Sequence, residues 1–94
     1  MKVILISNKE GIKNKEEEFS ELAISSYICA AQLCGRIKDI IPEGNGLLVS
    51  IDGGFSVGMT KKDYQKVLHM IEINKHSSLF HEYIDLQIQH NTSF

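Results

Sequence analysis

The chain has no tryptophan, one proline (Pro42), one arginine (Arg36) and two cysteines among its 94 residues. Each scarcity excludes something. Cys29 and Cys34 are separated by four residues, which on a helix sets them about 140° apart. That spacing suits neither a disulfide nor a Cys-x-x-Cys clip, so both read as small buried hydrophobes in a reducing cytoplasm. The ten Lys and Arg residues are spread along the chain and outnumbered by twelve acids, for a formal charge of −2. Phosphate contacts need a basic surface, so nucleic acid is not the expected partner. No apolar run approaches a bilayer-spanning length. Met1-Lys2 and Val3–Ile6 resemble the start of a signal peptide, but the run meets Asn8, Lys9 and Glu10 at once, too early for an h-region. The expectation is a soluble, cytoplasmic protein without a membrane contact. Residues 1–94 should form a single domain with one core, with residues 91–94 as a frayed tail.

What is present is organised around residues 47–59, two short apolar runs joined at Asp52-Gly53-Gly54, a strong hairpin signal. Side-chain alternation selects the register, because a slip of one residue turns every side chain over. A three-residue loop, 52–54, pairs Ile51 with Phe55, Val49 with Val57 and Leu47 with Met59. Ser50 then lies opposite Ser56 on a small, polar face. A positive φ is expected at Gly53 or Gly54.

Val3–Ile6 reads as a buried central strand. Asn14 with Glu17 three residues later forms a capping-box pattern, and Glu16, Glu17 and Glu18 suit a helix N-terminus. A helix is expected from there through Phe19, Ala23, Ser26, Ala30, Leu33 and Ile37. Ile24, Ile28 and Ala31 widen its apolar stripe beyond one side, and no charge occurs between Leu22 and Gly35. Gly35 is a candidate C′ residue. Pairing residues 36–41 with 47–51 puts Lys38 or Asp39 on the apolar face, however, so the helix is expected to run, kinked, to Ile41 and stop at Pro42. Thr60 with Asp63 caps a second helix carrying Tyr64, Val67, Leu68 and Ile71 at helical spacing. Ile84, Leu86 and Ile88 alternate with Asp85, Gln87 and Gln89, the period of a half-buried final strand.

The resulting order, strand-helix-strand-strand-helix-strand, resembles the ferredoxin-like split βαβ architecture. The resemblance is one of topology. It implies an α+β domain, βαββαβ, with a four-stranded antiparallel sheet and two helices on one face. Strand order 4-1-3-2 would make Leu47–Ile51 an edge. The superfold hosts many functions and carries little functional information by itself.

No residue set identifies a chemistry. The first strand carries no aromatic for base stacking, and the hairpin register turns Phe55 into the core. Asn8-Lys9-Glu10-Gly11 holds no cysteine for a metallochaperone loop, and Arg36 is not near the first strand's loop as an acylphosphatase-like site requires. His69, His76, His81 and His90 show no ligand spacing. Cys34, in an uncharged helix, lacks the electropositive setting of a nucleophile. Gly44-Asn45-Gly46 and Gly53-Gly54 do not precede a helix. Lys61 and Lys62 beside Gly58-Met59-Thr60 are accounted for by capping and solvation. No catalytic residue, cofactor or metal is expected.

Surface that ought to be covered is the remaining signal. The expected edge strand has no Lys, Pro or charge to protect it, the first helix is apolar over more area than two layers need, and the first strand's outward face carries Ile or Val. These point to association through Leu48 and Ser50 on the strand and Ile24, Ile28 and Ala31 on the helix. The expected function is a small protein–protein interaction module, not an enzyme, and most simply a homodimer. An inhibitor or immunity-type protein acting by steric blocking is one version. The alternative is an ACT-like regulatory domain binding a small molecule at a dimer interface, with the glycine loops and the Ser50/Ser56 pair lining the site.

Overall fold

The computed structural model describes residues 1–7, 11–51 and 55–92. Its elements are β1 (Lys2–Ser7), β2 (Lys15–Glu18), α1 (Glu21–Leu33), β3 (Ile37–Glu43), β4 (Gly46–Ile51), β5 (Phe55–Thr60), α2 (Lys61–Asn74) and α3 (Ser78–Thr92). The α+β class and the antiparallel sheet are as expected. Among the described residues, however, the sheet has five strands in the order β2-β1-β5-β4-β3, and there are three helices. The four-stranded ferredoxin-like order is therefore corrected at four places, each with a local cause.

First, the acidic run is a strand. Lys2 pairs with Glu18, Ile4 with Glu16 and Leu5 with Lys15. The charges along β2 protect an exposed edge, with Lys15 paired to Glu17 at 2.6 Å within the strand and Glu16 paired across to Lys2 of β1 at 3.8 Å. The helix begins later, at Ser20, whose Oγ accepts from the Ala23 N–H at 3.1 Å.

Second, α1 stops at Leu33 and does not continue to Ile41. Gly35 takes a left-handed φ of +67°. Its N–H donates to the Gln32 carbonyl at 3.1 Å, and the Arg36 N–H donates to the Ala31 carbonyl at 2.9 Å. This is a Schellman closure, available because glycine bears no Cβ penalty at positive φ. Residues 37–43 become β3 through a register shift between Ile37 and Asp39. That bulge lets Ile37 lie opposite Ile51 while Asp39 lies opposite Ser50, which removes the clash of charge with the apolar face. Pro42 is tolerated because β3 is an edge.

Third, Leu47–Ile51 is not an edge. As β4 it is held between β3 and β5. Its register with β5 is the expected one, with Ile51 opposite Phe55, Val49 opposite Val57, Leu47 opposite Met59 and Ser50 opposite Ser56. The positive-φ expectation at Gly53 or Gly54 falls outside the described residues.

Fourth, the final element is a helix. Ser77 Oγ accepts from the Phe80 N–H at 3.3 Å, a cap at its start. Phe80, Ile84 and Ile88 at i, i+4 and i+8 pack toward α1, while Leu86 is 60% exposed. The alternation through Ile84, Leu86 and Ile88 thus coexists with a helical stripe, and the helical stripe is the one that is buried.

The core explains the uncharged first helix. Ile24, Ile28 and Ala31 pack on Val3, Val49, Ile51, Val57 and Met59 of the sheet and on Val67 of α2. Ala30 packs on Phe80 and Ile84 of α3. With sheet beneath it and a helix on either flank, α1 is enclosed on three sides. Thr60 Oγ1 accepts from the Asp63 N–H at 3.0 Å, the expected cap of α2. All three helices belong to this one side of the sheet.

Candidate functional site

Alternation along each strand sends a second set of side chains to the side away from the helices. Pairing aligns Glu16 with Ile4, Ile4 with Gly58, Gly58 with Leu48 and Leu48 with Ile41, a row that crosses all five strands. Ile4 is 44% and Ile41 43% exposed, and Leu48 is half-buried. The row on one side runs from Ile6 through Ser56 and Ser50 to Asp39, and on the other Thr60 lies opposite Gly46. This open face forms a cleft of about 560 Å³ over Ile4, Ile6, Gly58 and Leu48, reaching Glu16 at one margin and Glu43 at the other.

Gly58 shapes the cleft floor. A methyl group on its Cα would stand 3.3 Å from Leu48 Cδ2 and 3.7 Å from Ile4 Cβ. Glycine in a strand interior weakens the strand unless something needs the close approach. Here its absence of a side chain lets Leu48 and Ile4 close over the strand, and Gly58 is buried beneath them.

Charge gathers at the margins. On β2, Glu16 pairs with Lys2, and Glu18 accepts from the amino group of Met1 at 2.7 Å, which draws its carboxyl below the usual range. On β3, Asp39 accepts from the Ile40 N–H at 2.8 Å, and Glu43 has no ion pair among the described residues. Lys2 is the one cation lining the cleft among the described residues. The centre is apolar, the β2 margin balances its acids with Lys2 and the Met1 amino group, and Asp39 and Glu43 stand on the β3 margin.

The expected association residues divide between the two sides of the sheet. Leu48 and Ser50 lie on the open face. Ile24, Ile28 and Ala31 are buried in the chain's own core, so the cover their apolar surface requires comes from the sheet, α2 and α3. The first strand's outward Ile or Val counted toward association in the sequence, but nothing there assigned Ile41, Gly58, Glu16 or Glu43 to an interface. Their signal is the second apolar parity of the Val3–Ile6 run together with a glycine inside a strand. It becomes readable only once β3 is known to pair with β4.

The other candidates are scattered. His69, His76 and His81 are exposed, and a His81 ring nitrogen lies 2.6 Å from the Lys75 carbonyl. Cys34 is an exposed helix cap, while Cys29 is half-buried, and burial raises its thiol pKa. Among the described residues no three His, Cys, Asp or Glu side chains are placed to hold a metal. At the α2 N-terminus, the Lys61 N–H already donates to the Asn45 carbonyl at 3.2 Å. A smaller apolar gap of about 260 Å³ lies between sheet and helices, lined by Leu5, Phe19, Tyr27, Phe55 and Gln87 among others. No helix among the described residues is long and apolar enough to cross a membrane. No protein-family model matches the chain, and neither curated proteins nor solved structures give a significant match.

Proposed function

We propose that this chain is a small protein-binding module that works by occupying a partner through the open face of its sheet, not by catalysis. The observation that carries the reading is the row Ile4–Gly58–Leu48–Ile41, apolar surface spread over four strands with no helix above it among the described residues. A two-layer domain buries one face of its sheet. A second face that is apolar at its centre and charged at its rim has the composition of a docking surface. Both sheet edges are guarded, β2 by its charges and β3 by Pro42, the bulge and its flanking Lys38 and Asp39, which favours face docking over strand addition. Steric blocking of a partner is the activity such a surface performs without a catalytic group. The free Cys29 and Cys34 thiols are compatible with a reducing, cytoplasmic setting.

The test is site-specific photo-crosslinking in the native cell. A photoreactive side chain replaces Ser50 on the open face, or Glu72 on the outer side of α2 as a control. The reading expects a defined adduct from position 50, none from position 72, and loss of the adduct when Gly58→Val pushes Leu48 and Ile4 out of the face. Equal labelling from both positions, or labelling indifferent to Gly58→Val, would overturn it.

A further inference from the structure

We infer that the gap between the sheet and the helices α1 and α3 binds a small, neutral ring compound, one ring or two fused rings bearing a single hydrogen-bonding group. The site lies on the helix side of the sheet, away from the open face, and does not depend on the docking reading. The placement of α3 creates it. Phe80, Ile84 and Ile88 seat that helix on α1 through Leu22, Cys29 and Ala30, and α3 makes little contact with any strand. Alternation turns Leu5 of β1 and its partner Val57 of β5 toward the helices. These two floor the gap, Ala23 and Tyr27 line it from α1, and Gln87 lines it from α3.

Size and chemistry select the ligand. Protein interiors are close-packed, with few voids larger than a water molecule, yet about 260 Å³ stays unfilled here. Phe19, Tyr27 and Phe55 are left half-buried around it. A dry apolar cavity of about 150 Å³ takes up benzene, so the larger gap suits one ring or two fused rings. The three aromatic side chains offer faces and edges to a planar guest. Among the described residues no Lys, Arg, His, Asp or Glu lines the gap, so a charged ligand would lose its hydration without gaining a counter-charge. The half-buried Gln87 carboxamide supplies both a donor and an acceptor, enough to hold one polar group of the guest in a fixed orientation.

Indole is the probe, set against its anionic analogue indole-3-carboxylate and against 1-octanol, a flexible aliphatic. Each is titrated into the full chain while backbone amide shifts and Tm are followed. Indole is expected to give saturable shifts at Leu5, Ala23, Tyr27, Val57 and Gln87, and a Tm that climbs with its concentration. The carboxylate should bind at least tenfold more weakly, and 1-octanol more weakly than indole because its chain loses rotamer freedom. Ala23→Leu projects into the gap and should abolish the indole shifts while leaving the Tm of the free chain unchanged or higher. Gln87→Leu, the second variant, should weaken indole several-fold by removing its acceptor. No saturable shift up to the solubility limit of indole would overturn the site, as would shifts confined to open-face residues such as Ser50. Indole binding unaltered by both variants would overturn it too. Tighter binding of the carboxylate or of 1-octanol would overturn the neutral ring as the ligand.

Discussion

Leu48 Cδ2 lies 3.3 Å from the point where a Cβ on Gly58 would sit. The neighbour is the tip of a flexible side chain and Gly58 has no positive φ, so a methyl group there displaces Leu48 by a few tenths of an ångström without straining the backbone. Gly58→Ala is therefore expected to hold global stability within about 1 kcal/mol, because the β-propensity gained offsets the crowding. Urea denaturation measures this. A loss above about 3 kcal/mol would mean that the close approach of Leu48 to Gly58 is needed by the fold itself.

Ser25 is fully buried on α1, and its hydroxyl has no hydrogen-bond partner among the described residues. An unsatisfied buried polar group costs about 1–3 kcal/mol, and alanine is also the better helix former. Ser25→Ala is expected to stabilise the chain by about 1 kcal/mol, a rise in Tm of about 4–8 °C for a domain of this size. Ser26 is the control, since its Oγ donates to the Ala23 carbonyl at 3.0 Å. Ser26→Ala should gain less.

The last element offers a direct test of helix against strand. In a strand, Ile84 and Leu86 share a face and their truncations cost alike. In α3, Ile84 is 3% and Leu86 60% exposed. Ile84→Ala is expected to cost about 2–5 kcal/mol and Leu86→Ala less than about 0.5 kcal/mol, both by chemical denaturation. Equal costs would refute the helical placement.

Burial raises the Tyr27 phenol above its ordinary value, and the nearby Arg36 guanidinium only partly opposes the shift. The unfolded chain then ionises first as pH rises, binds fewer protons than the native state, and draws the equilibrium toward unfolding. The Tyr27 contribution should be flat below the ordinary tyrosine range and decline above about pH 9–10. Tyr27→Phe is expected to flatten that alkaline limb in a pH series of thermal melts, even if it changes the plateau. The half-buried Cys29 thiol is shifted in the same direction, so Cys29→Ala should remove a further, earlier part of the decline.

How far the fold was legible follows from where one physical rule acted alone. Val49 opposite Val57 and Ser50 opposite Ser56 were readable because only one loop length gave a consistent face. Thr60 with Asp63 was readable because the cap is local. Where two rules competed, the sequence was ambiguous. Ile37–Ile41 has helical spacing and also strand character, and a single bulge near Lys38 decided between them by shifting the alternation. Lys15–Glu18 suits a helix start and also a guarded edge, and its pairing with β1, distant in pattern if not in sequence, chose the edge. Ile84 and Ile88 satisfy both periods, and only contact with Ala30 and the rest of α1 separates them. The candidate face was hidden for the same reason. Leu48 looked like part of an unprotected edge until Ile41 lay beside it.

The join between Ile4 and Gly58 also bears on how the chain acquires its structure. More than half of the sequence lies between these partners, whereas β3, β4 and β5 are hairpin neighbours in sequence and pair over short loops. Closing the long loop carries its entropy before any contact rewards it. The meander can therefore form early, and the N-terminal hairpin docks against β5 late. Until then Val3–Ile6 is apolar on both faces and open along the side that β5 will occupy, with β2 guarding only the other. During synthesis this is the interval of greatest exposure to aggregation, and it ends only once β5 has emerged.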